Sequence, residues 1–485
     1  MIKKLLFASV VLFLALTSLA PAQSFVRLVN QPPGGAYLSF LLTDGAVMSQ
    51  ANDYSHWWKL TPDINGSYVN GTWTRLAPLE SGYAPNDFAS AVLADGRVII
   101  LGGEYNNGSF VLSNLGEIYD PVANTWTPLD PPSGWDFIGD SPSVVLPDGR
   151  FLVGNKLNME MAALDPGTLT WTMLGSTGKS DFHAEEGWTL LPDGTVLTCD
   201  VQNAPHSERY FPSTQSWPRV GNTIVDLHSP SPFKGCSQYG DLGQFCYYPP
   251  GEIGPAILRP DGTVFATGSF SKVKAGHTAI YTPSRDMTGA GTWAAGPDFP
   301  NNDDAGDSFA VLLPNGKVLL EGNSGQMYEF DGVTFNPTLQ TFGYLIVLPT
   351  GEVLSADGRA VKLYTPANTS YAPAWAPQIK GYPKTVQRGN TYAISGQQFN
   401  GLSQAAASGD ELETATNYPL VRLTNTKTHH VFYGRTHDHS TMGVATGTQL
   451  VSTNFDVPAT METGTCTLEV VANGIPSPAV TVTVL

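Results

Sequence analysis

One apolar–polar phrase recurs along this chain. An apolar run is cut by a two-residue turn, mostly Asp-Gly, and a second apolar run follows. The copies are LLTDGAVM at Leu41, VLADGRVIILGG at Val92, VLPDGRFLVG at Val145, LLPDGTVLTC at Leu190, LRPDGTVFATG at Leu258, LLPNGKVLLEG at Leu312 and VLPTGEVLSADG at Val347. Asp-Gly tolerates the positive φ that a tight hairpin demands. Apolar runs that are nearly continuous, not alternating, predict strands buried on both faces. In most copies an aromatic-rich strand pair follows, as in EIYDPVANTWTPL at Glu117 and ERYFPSTQSWPRV at Glu208. Each repeat therefore reads as four antiparallel strands. The outer-strand Trp residues read as core, with Trp73 serving the first repeat and Phe335 and Trp375 as weaker stand-ins in the last two.

Repeats of roughly 35–70 residues built from strands predict a β-propeller. The sequence shows seven copies, so the expected fold is all-β: a seven-bladed kelch-like propeller over residues 23–376. FVRLVNQPP at Phe25 reads as an outermost strand that pairs with the seventh blade and closes the ring, or else as local order only. From about Pro377 the pattern changes to short strands spaced near ten residues, ending in SPAVTVTVL. That predicts an immunoglobulin-like β-sandwich over residues 377–485.

Composition narrows the setting. Residues 1–22 carry Lys3 and Lys4, an apolar run and the small-residue pattern Ala20-Pro21-Ala22, which reads as a cleaved signal peptide for a secreted or periplasmic protein. A membrane anchor is the alternative, but the run is short of the roughly 20 residues a span needs. The formal charge is −17 with only 14% charged residues, which argues against nucleic acid as a partner. A carbohydrate or other small polar ligand, or a cation, suits it better, and the chain reads as a monomer with no nucleotide cofactor. Cys236 and Cys246 flank a short loop in the long fourth-to-fifth spacing and predict a disulfide that pins a pocket wall. Cys199 and Cys466 read as buried free thiols.

Candidate chemistry comes from aligning the repeats. About eight or nine residues before each turn stand Ala36, Asp87, Asp140, Glu185, Glu252 (with Ile253), Asp307 and Phe342. Inner strands run parallel around a propeller axis, so equal offsets mean equal heights. The carboxylates Asp87, Asp140, Glu185, Glu252 and Asp307 should face one another at one mouth of the channel, with His183, Glu186, Asp303 and Asp304 nearby. The expected ligand contacts are Asp87, Asp140, Glu185, Glu186, Glu252 and Asp307, and Asp140, Glu185 and Asp307 are the catalytic candidates. Crowded carboxylates either keep protons or hold a cation. Oxygen ligands suit calcium or manganese, and mixed His and carboxylate ligation suits manganese or zinc. His437 and His439, two apart on a strand, would point the same way and complete such a site with the ring. A solvated acidic rim and a structural histidine pair are the alternatives.

A secreted seven-bladed propeller followed by a small sandwich, together with the phrase PLVRLTNTKTHHVF at Pro419, resembles the galactose oxidase and glyoxal oxidase family. The resemblance implies that this hairpin reaches into the propeller channel and that His429, or next His430, stands at a copper-ligand position. It also implies a Tyr–Cys cofactor and a Tyr-His pair at the channel ends of inner strands. The aligned positions hold no Cys and no Tyr-His pair, which speaks against copper-radical oxidase activity and makes copper less expected than the other metals. Two functions stay open: a carbohydrate-binding protein, or a metal-dependent or acid/base enzyme acting on carbohydrate-like substrates.

Overall fold

The computed structural model describes residues 23–229, 237–238, 244–245, 252–269, 276–285, 289–407 and 414–485. The leader at residues 1–22 and the Cys236–Cys246 pair lie outside them. The described chain is all-β, with no α-helix and two short 3-10 turns, Pro300–Asn302 and Pro373–Trp375. No described helix is long and apolar enough to cross a membrane.

Each Asp-Gly phrase forms the first hairpin of an antiparallel sheet. The second sheet shows the plan: Ala89–Val92, Val98–Leu101, Gly116–Asp120 and Thr125–Pro128, paired in sequence order. The first strands of the others are Ser39–Leu41, Ser143–Val145, Thr189–Leu190, Ile253–Leu258, Ala310–Leu312 and Tyr344–Val347. The turn chemistry recurs. Asp95 Oδ1 accepts the Arg97 amide at 3.0 Å and Gly96 sits at φ 86°; the same Asx-type bond joins Asp44 to Ala46 and Asp261 to Thr263. First strands pack side by side, Ser39–Leu41 against Tyr344–Val347 and Ala89–Val92 against Ser143–Val145. Between sheets the apolar faces interlock, as where Phe265 stacks on Phe330 with ring centroids 3.9 Å apart. The fold is propeller-like in this sense.

The outer Trp residues are structural. Trp126 packs on Tyr119 at 5.1 Å, and its indole N–H donates to the Ala77 carbonyl of the preceding connection at 2.9 Å. Trp171 bonds backward in the same way to the Asp130 carbonyl, and the Trp293 N–H donates to the Ser207 hydroxyl on the preceding sheet. Trp375 is a departure. It falls in a 3-10 turn, and the seventh sheet takes its fourth strand from the other end of the chain, where Ser24–Arg27 pairs with Val361–Thr365.

Residues from Gln378 onward form eight strands on one hydrogen-bonded path around a shared core that includes Ile394, Leu423, Phe455, Leu468 and Val482. This part docks on the turn ends of the sheets. The amides of Thr436, His439 and Met442 donate to the carbonyls of Thr43, Ala94 and Pro147 at 3.0–3.1 Å. A segment beginning near Ser403 runs in among the first strands. Gln404 accepts the Leu190 amide at 2.9 Å, Ala406–Ala407 pairs with Ala310–Leu312, and the Tyr418 hydroxyl donates to the Leu41 carbonyl.

The seventh sheet depends on the N-terminal strand to cover the edge of Val361–Thr365. Deleting residues 23–30 is expected to lower the melting temperature and raise light scattering, because an uncovered strand edge pairs with other chains. An unchanged melt would show that this strand is dispensable.

Candidate functional site

The first strand of each sheet begins at the end opposite its turn, so the residues just before it gather at the mouth away from the C-terminal part. Asp87, Asp140, Glu185, Glu252 and Asp307 all line one cavity of about 440 Å³ there. The connection leaving each second strand returns to the same mouth and adds groups that the repeat alignment missed. Glu104 follows Val98–Leu101, Lys156 follows Phe151–Gly154, Glu321 ends Val318–Glu321 and Asp357 follows Val353–Ala356. Their signal in the sequence was position relative to the second apolar run, not the first.

The ring is two-sided. At the aligned offset the second to sixth sheets supply the carboxylates, and the seventh adds Asp357 after its second strand. The first and seventh, which carry Ala36 and Phe342 at the aligned offset, are neighbours, and their side of the cavity is aromatic. There Tyr344 packs on Tyr37 at 4.6 Å and on Phe309 at 4.2 Å, and Phe342 is 56% exposed.

Two lysines pair with the lining acids, Lys362 with Asp357 at 3.4 Å and Lys156 with Asp140 and Glu185. The Lys156 ammonium donates to Asp140 Oδ2 and, at 2.5 Å, to Glu185 Oε1. Asp140 is buried, and its Oδ1 has no hydrogen-bond partner. Burial, with repulsion from Glu104 and Asp307, pushes Asp87 up to about 7. Burial, with Glu185 and Asp307, pushes Glu252 up to about 10, and its carboxyl is hydrogen-bonded to Asp307. Burial also raises Glu104, Asp140 and Asp307, and carries Glu321 to about 8. Asp307 is exposed at the cavity. Asp87, Glu185 and Asp307 all adopt left-handed backbone, at φ 52°, 57° and 50°. That conformation costs an L-residue roughly 1–2 kcal/mol.

Several expected residues go elsewhere. Left-handed Glu185 turns Glu186 away from the mouth into a second, fully buried cluster. There Lys179 donates to Glu186 Oε1 at 2.6 Å and lies 2.8 Å from Glu208 Oε2. His183 is wedged beside Trp188 and Trp217 in the same place, and burial drives its imidazole strongly toward the neutral form. Glu186, Asp200 and Glu208 bring carboxylate oxygens within 4.8 Å of one another, close enough for a metal ion, but the Lys179 ammonium already contacts two of the three. Burial raises Glu186 and carries Asp200 to about 7. Asp303 accepts from Ser324 and Tyr328, and Asp304 from the Gly306 amide, so both serve local structure.

The C-terminal histidines do not join the ring. His429 is exposed at a hairpin tip, and this hairpin lies against the outer loop at Ile64, where the Val431 amide donates to the Ile64 carbonyl at 2.8 Å. Gln404, Ala406–Ala407 and Tyr418, not this hairpin, reach the inner strands. His430 bonds Glu462 at 2.7 Å. His437 and His439 do not face the same way, because Asp438 between them is left-handed at φ 53°. His437 lies between Asp438 and Asp456, while His439 is buried on Thr453 and Tyr418, its imidazole pushed down to about 3 by burial. Both lie on the turn side, across the sheets from the carboxylates.

No family model matches the sequence, and no curated protein matches it. Solved structures do. A galactose oxidase-like fungal alcohol oxidase of the AA5 family, in complex with copper, aligns with a TM-score of 0.51 at 14% identity, over 96% of this chain and 99% of its own. Virginiamycin B lyase from Staphylococcus aureus gives 0.46 at 13% identity, over 71% of this chain and 99% of its own. The extracellular domain of a putative hybrid two component system from B. thetaiotaomicron gives 0.46 at 12%, over 96% and 59%. At these identities the likeness concerns the fold alone.

Two outcomes are expected. Replacing Lys179 with Met leaves Glu186, Glu208 and Asp200 buried without their cation, a change that costs about 3–5 kcal/mol and should appear as a large drop in melting temperature. A melt within a degree of the parent would mean that the cluster is neutral without it. The cavity acids give a pH dependence. Their folded pKa values lie above the unfolded ones, so the folded chain binds more protons above pH ~4 and stability falls as pH rises. The fall runs through about 7 for Asp87, about 8 for Glu321 and about 10 for Glu252. Thermal melts should be higher at pH 5 than at pH 8.5, and Glu252→Gln should flatten the alkaline part of the curve. A flat profile in the parent protein would contradict the assignment.

Proposed function

We propose that this chain is a galactose-oxidase-like, seven-bladed propeller over residues 23–376 with an immunoglobulin-like sandwich over 377–485. In this reading it is exported through residues 1–22 and holds a carbohydrate or other small polar ligand at its acidic mouth. The supporting observation is the convergence of Asp87, Asp140, Glu185, Glu252 and Asp307 on one cavity with an aromatic wall. A cavity near 440 Å³ falls in the range of small-ligand sites. Hydroxyls of a sugar can donate to the carboxylates and its ring can lie on Phe342 or Tyr37.

Copper-radical chemistry, which the fold neighbour's copper raises, does not fit these residues. Cys199 is buried at the end of a second strand beside Asp200, Cys466 lies in the C-terminal core, and His429 is far from the ring. No step is assigned to copper. A second reading has one specific support. Glu252, which burial pushes up to about 10, is hydrogen-bonded to Asp307, an arrangement of two carboxyls that acid/base chemistry in glycoside hydrolysis or a lyase reaction can use. In it Glu252 would give a proton to a leaving oxygen and Asp307 would take one from water or substrate.

Retention of the full chain on immobilised polysaccharides, with the soluble fraction analysed for new reducing ends, separates the two. Binding without turnover is the expected result, and Asp307→Asn should weaken retention at least about tenfold, the loss of one charge-assisted contact. New reducing ends that vanish in Glu252→Gln would establish the enzyme instead. Absence of both overturns the assignment of this mouth.

A further inference from the structure

We infer that the ligand of the acidic mouth carries a protonated amine on a sugar ring, an amino sugar with its amine free. This rests on the reading above that the mouth binds a polar ligand, and it names the chemical class. Three observations carry it.

The first is charge. Eight carboxylates, Asp87, Glu104, Asp140, Glu185, Glu252, Asp307, Glu321 and Asp357, line the cavity, and among the described residues the lysines paired with them are Lys156 and, on Asp357, Lys362. Lys156 is committed to Asp140 and Glu185 at one side. A neutral sugar would leave Asp87, Glu104, Glu252 and Asp307 without a counter-charge. Burial and mutual repulsion already hold these four acids toward their neutral forms, and an entering ammonium would relieve that repulsion. The second is an unsatisfied atom. Asp140 Oδ1 is buried at the cavity wall without a hydrogen-bond partner, so the acidic side has acceptor capacity that the protein itself does not fill.

The third is shape. A bare divalent ion needs several oxygens at about 2.0–2.6 Å. The grouping of described residues tight enough to hold one is the buried Glu186, Asp200 and Glu208 set, not the mouth. Apart from the hydrogen-bonded Glu252 and Asp307 and the Lys156-bridged Asp140 and Glu185, the mouth acids surround a space of about 440 Å³, far more than an ion fills. Opposite them stand Tyr37, Phe342 and Tyr344. An aromatic face attracts an ammonium and also carries the C–H face of a sugar ring. Hydrogen-bonding Ser269, Ser308 and Asn323 complete the lining, as a polyhydroxylated ring requires and an alkylamine does not.

The test is calorimetric titration of the full chain with glucosamine tetramer and, separately, its fully N-acetylated counterpart, at 20 and 200 mM salt. The free-amine tetramer should bind at least tenfold more tightly, with affinity falling as salt rises. Asp307→Asn should weaken it about tenfold; Asn tolerates the left-handed backbone at 307, so this variant keeps its fold, and its thermal melt checks that. Phe342→Ala should weaken both tetramers. Equal affinity for the two would overturn the amine while leaving a polar-ligand site in place. Spermidine binding as tightly as the free-amine tetramer would overturn the sugar ring. No heat with either tetramer, together with no retention on any polysaccharide, would overturn the underlying reading as well.

Discussion

The inner strands of this chain all run in one direction, and that constraint decides where its charges meet. A two-residue turn ending in Gly, Asp-Gly in five of the seven, closes each first strand at the face where the C-terminal part docks, so the residue before each strand stands at the other face. A carboxylate placed there once is an ordinary surface acid. Placed in five consecutive repeats, it meets four others across a narrow opening. Like charges in partial burial favour their protonated forms, which is why Asp87 and Glu252 rise to about 7 and about 10. The fold tolerates this in part because Lys156 neutralises Asp140 and Glu185.

The cluster around Lys179 shows the alternative solution to the same problem. Glu186, Glu208 and Asp200 are sealed from solvent, and a lysine is built in among them. Burial disfavours the Lys179 ammonium, yet Glu186, Glu208 and Asp200 outweigh that and hold it charged. The difference between the clusters is access. Both hold more carboxylates than lysines, but the sealed one closes around Lys179, whereas the open one has space beside its acids. A structural role needs the first arrangement, and exchange with a ligand needs the second.

Much of this was legible in the sequence because the physics was local or periodic. The turns were readable since few residues tolerate φ near 80° before a strand, and the Trp residues since a large ring behind an apolar hairpin is core. The carboxylate ring was readable because a repeat converts a sequence offset into a height. What was not legible depended on single backbone angles or on the second loop of each sheet. Left-handed Asp438 separates His437 from His439, and left-handed Glu185 sends Glu186 inward. Glu104 and Lys156 follow the second strand, where connections vary in length and no common offset exists. The resemblance of the hairpin at Pro419 to a copper-bearing one also misled, because the segment that reaches the inner strands precedes it.

The left-handed residues tie the two clusters together. Each costs roughly 1–2 kcal/mol in an L-residue, and glycine would remove that cost at positions 87, 185 and 307. Glycine would also remove the carboxylate. The chain instead keeps an acid at all three, against both backbone preference and charge repulsion. At Glu185 the gain is visible: the reversed turn lets two adjacent glutamates serve opposite sides of one loop, Glu185 to Lys156 at the mouth and Glu186 to Lys179 beneath it. The open cavity and the sealed cluster are thus supplied by adjacent residues of one loop.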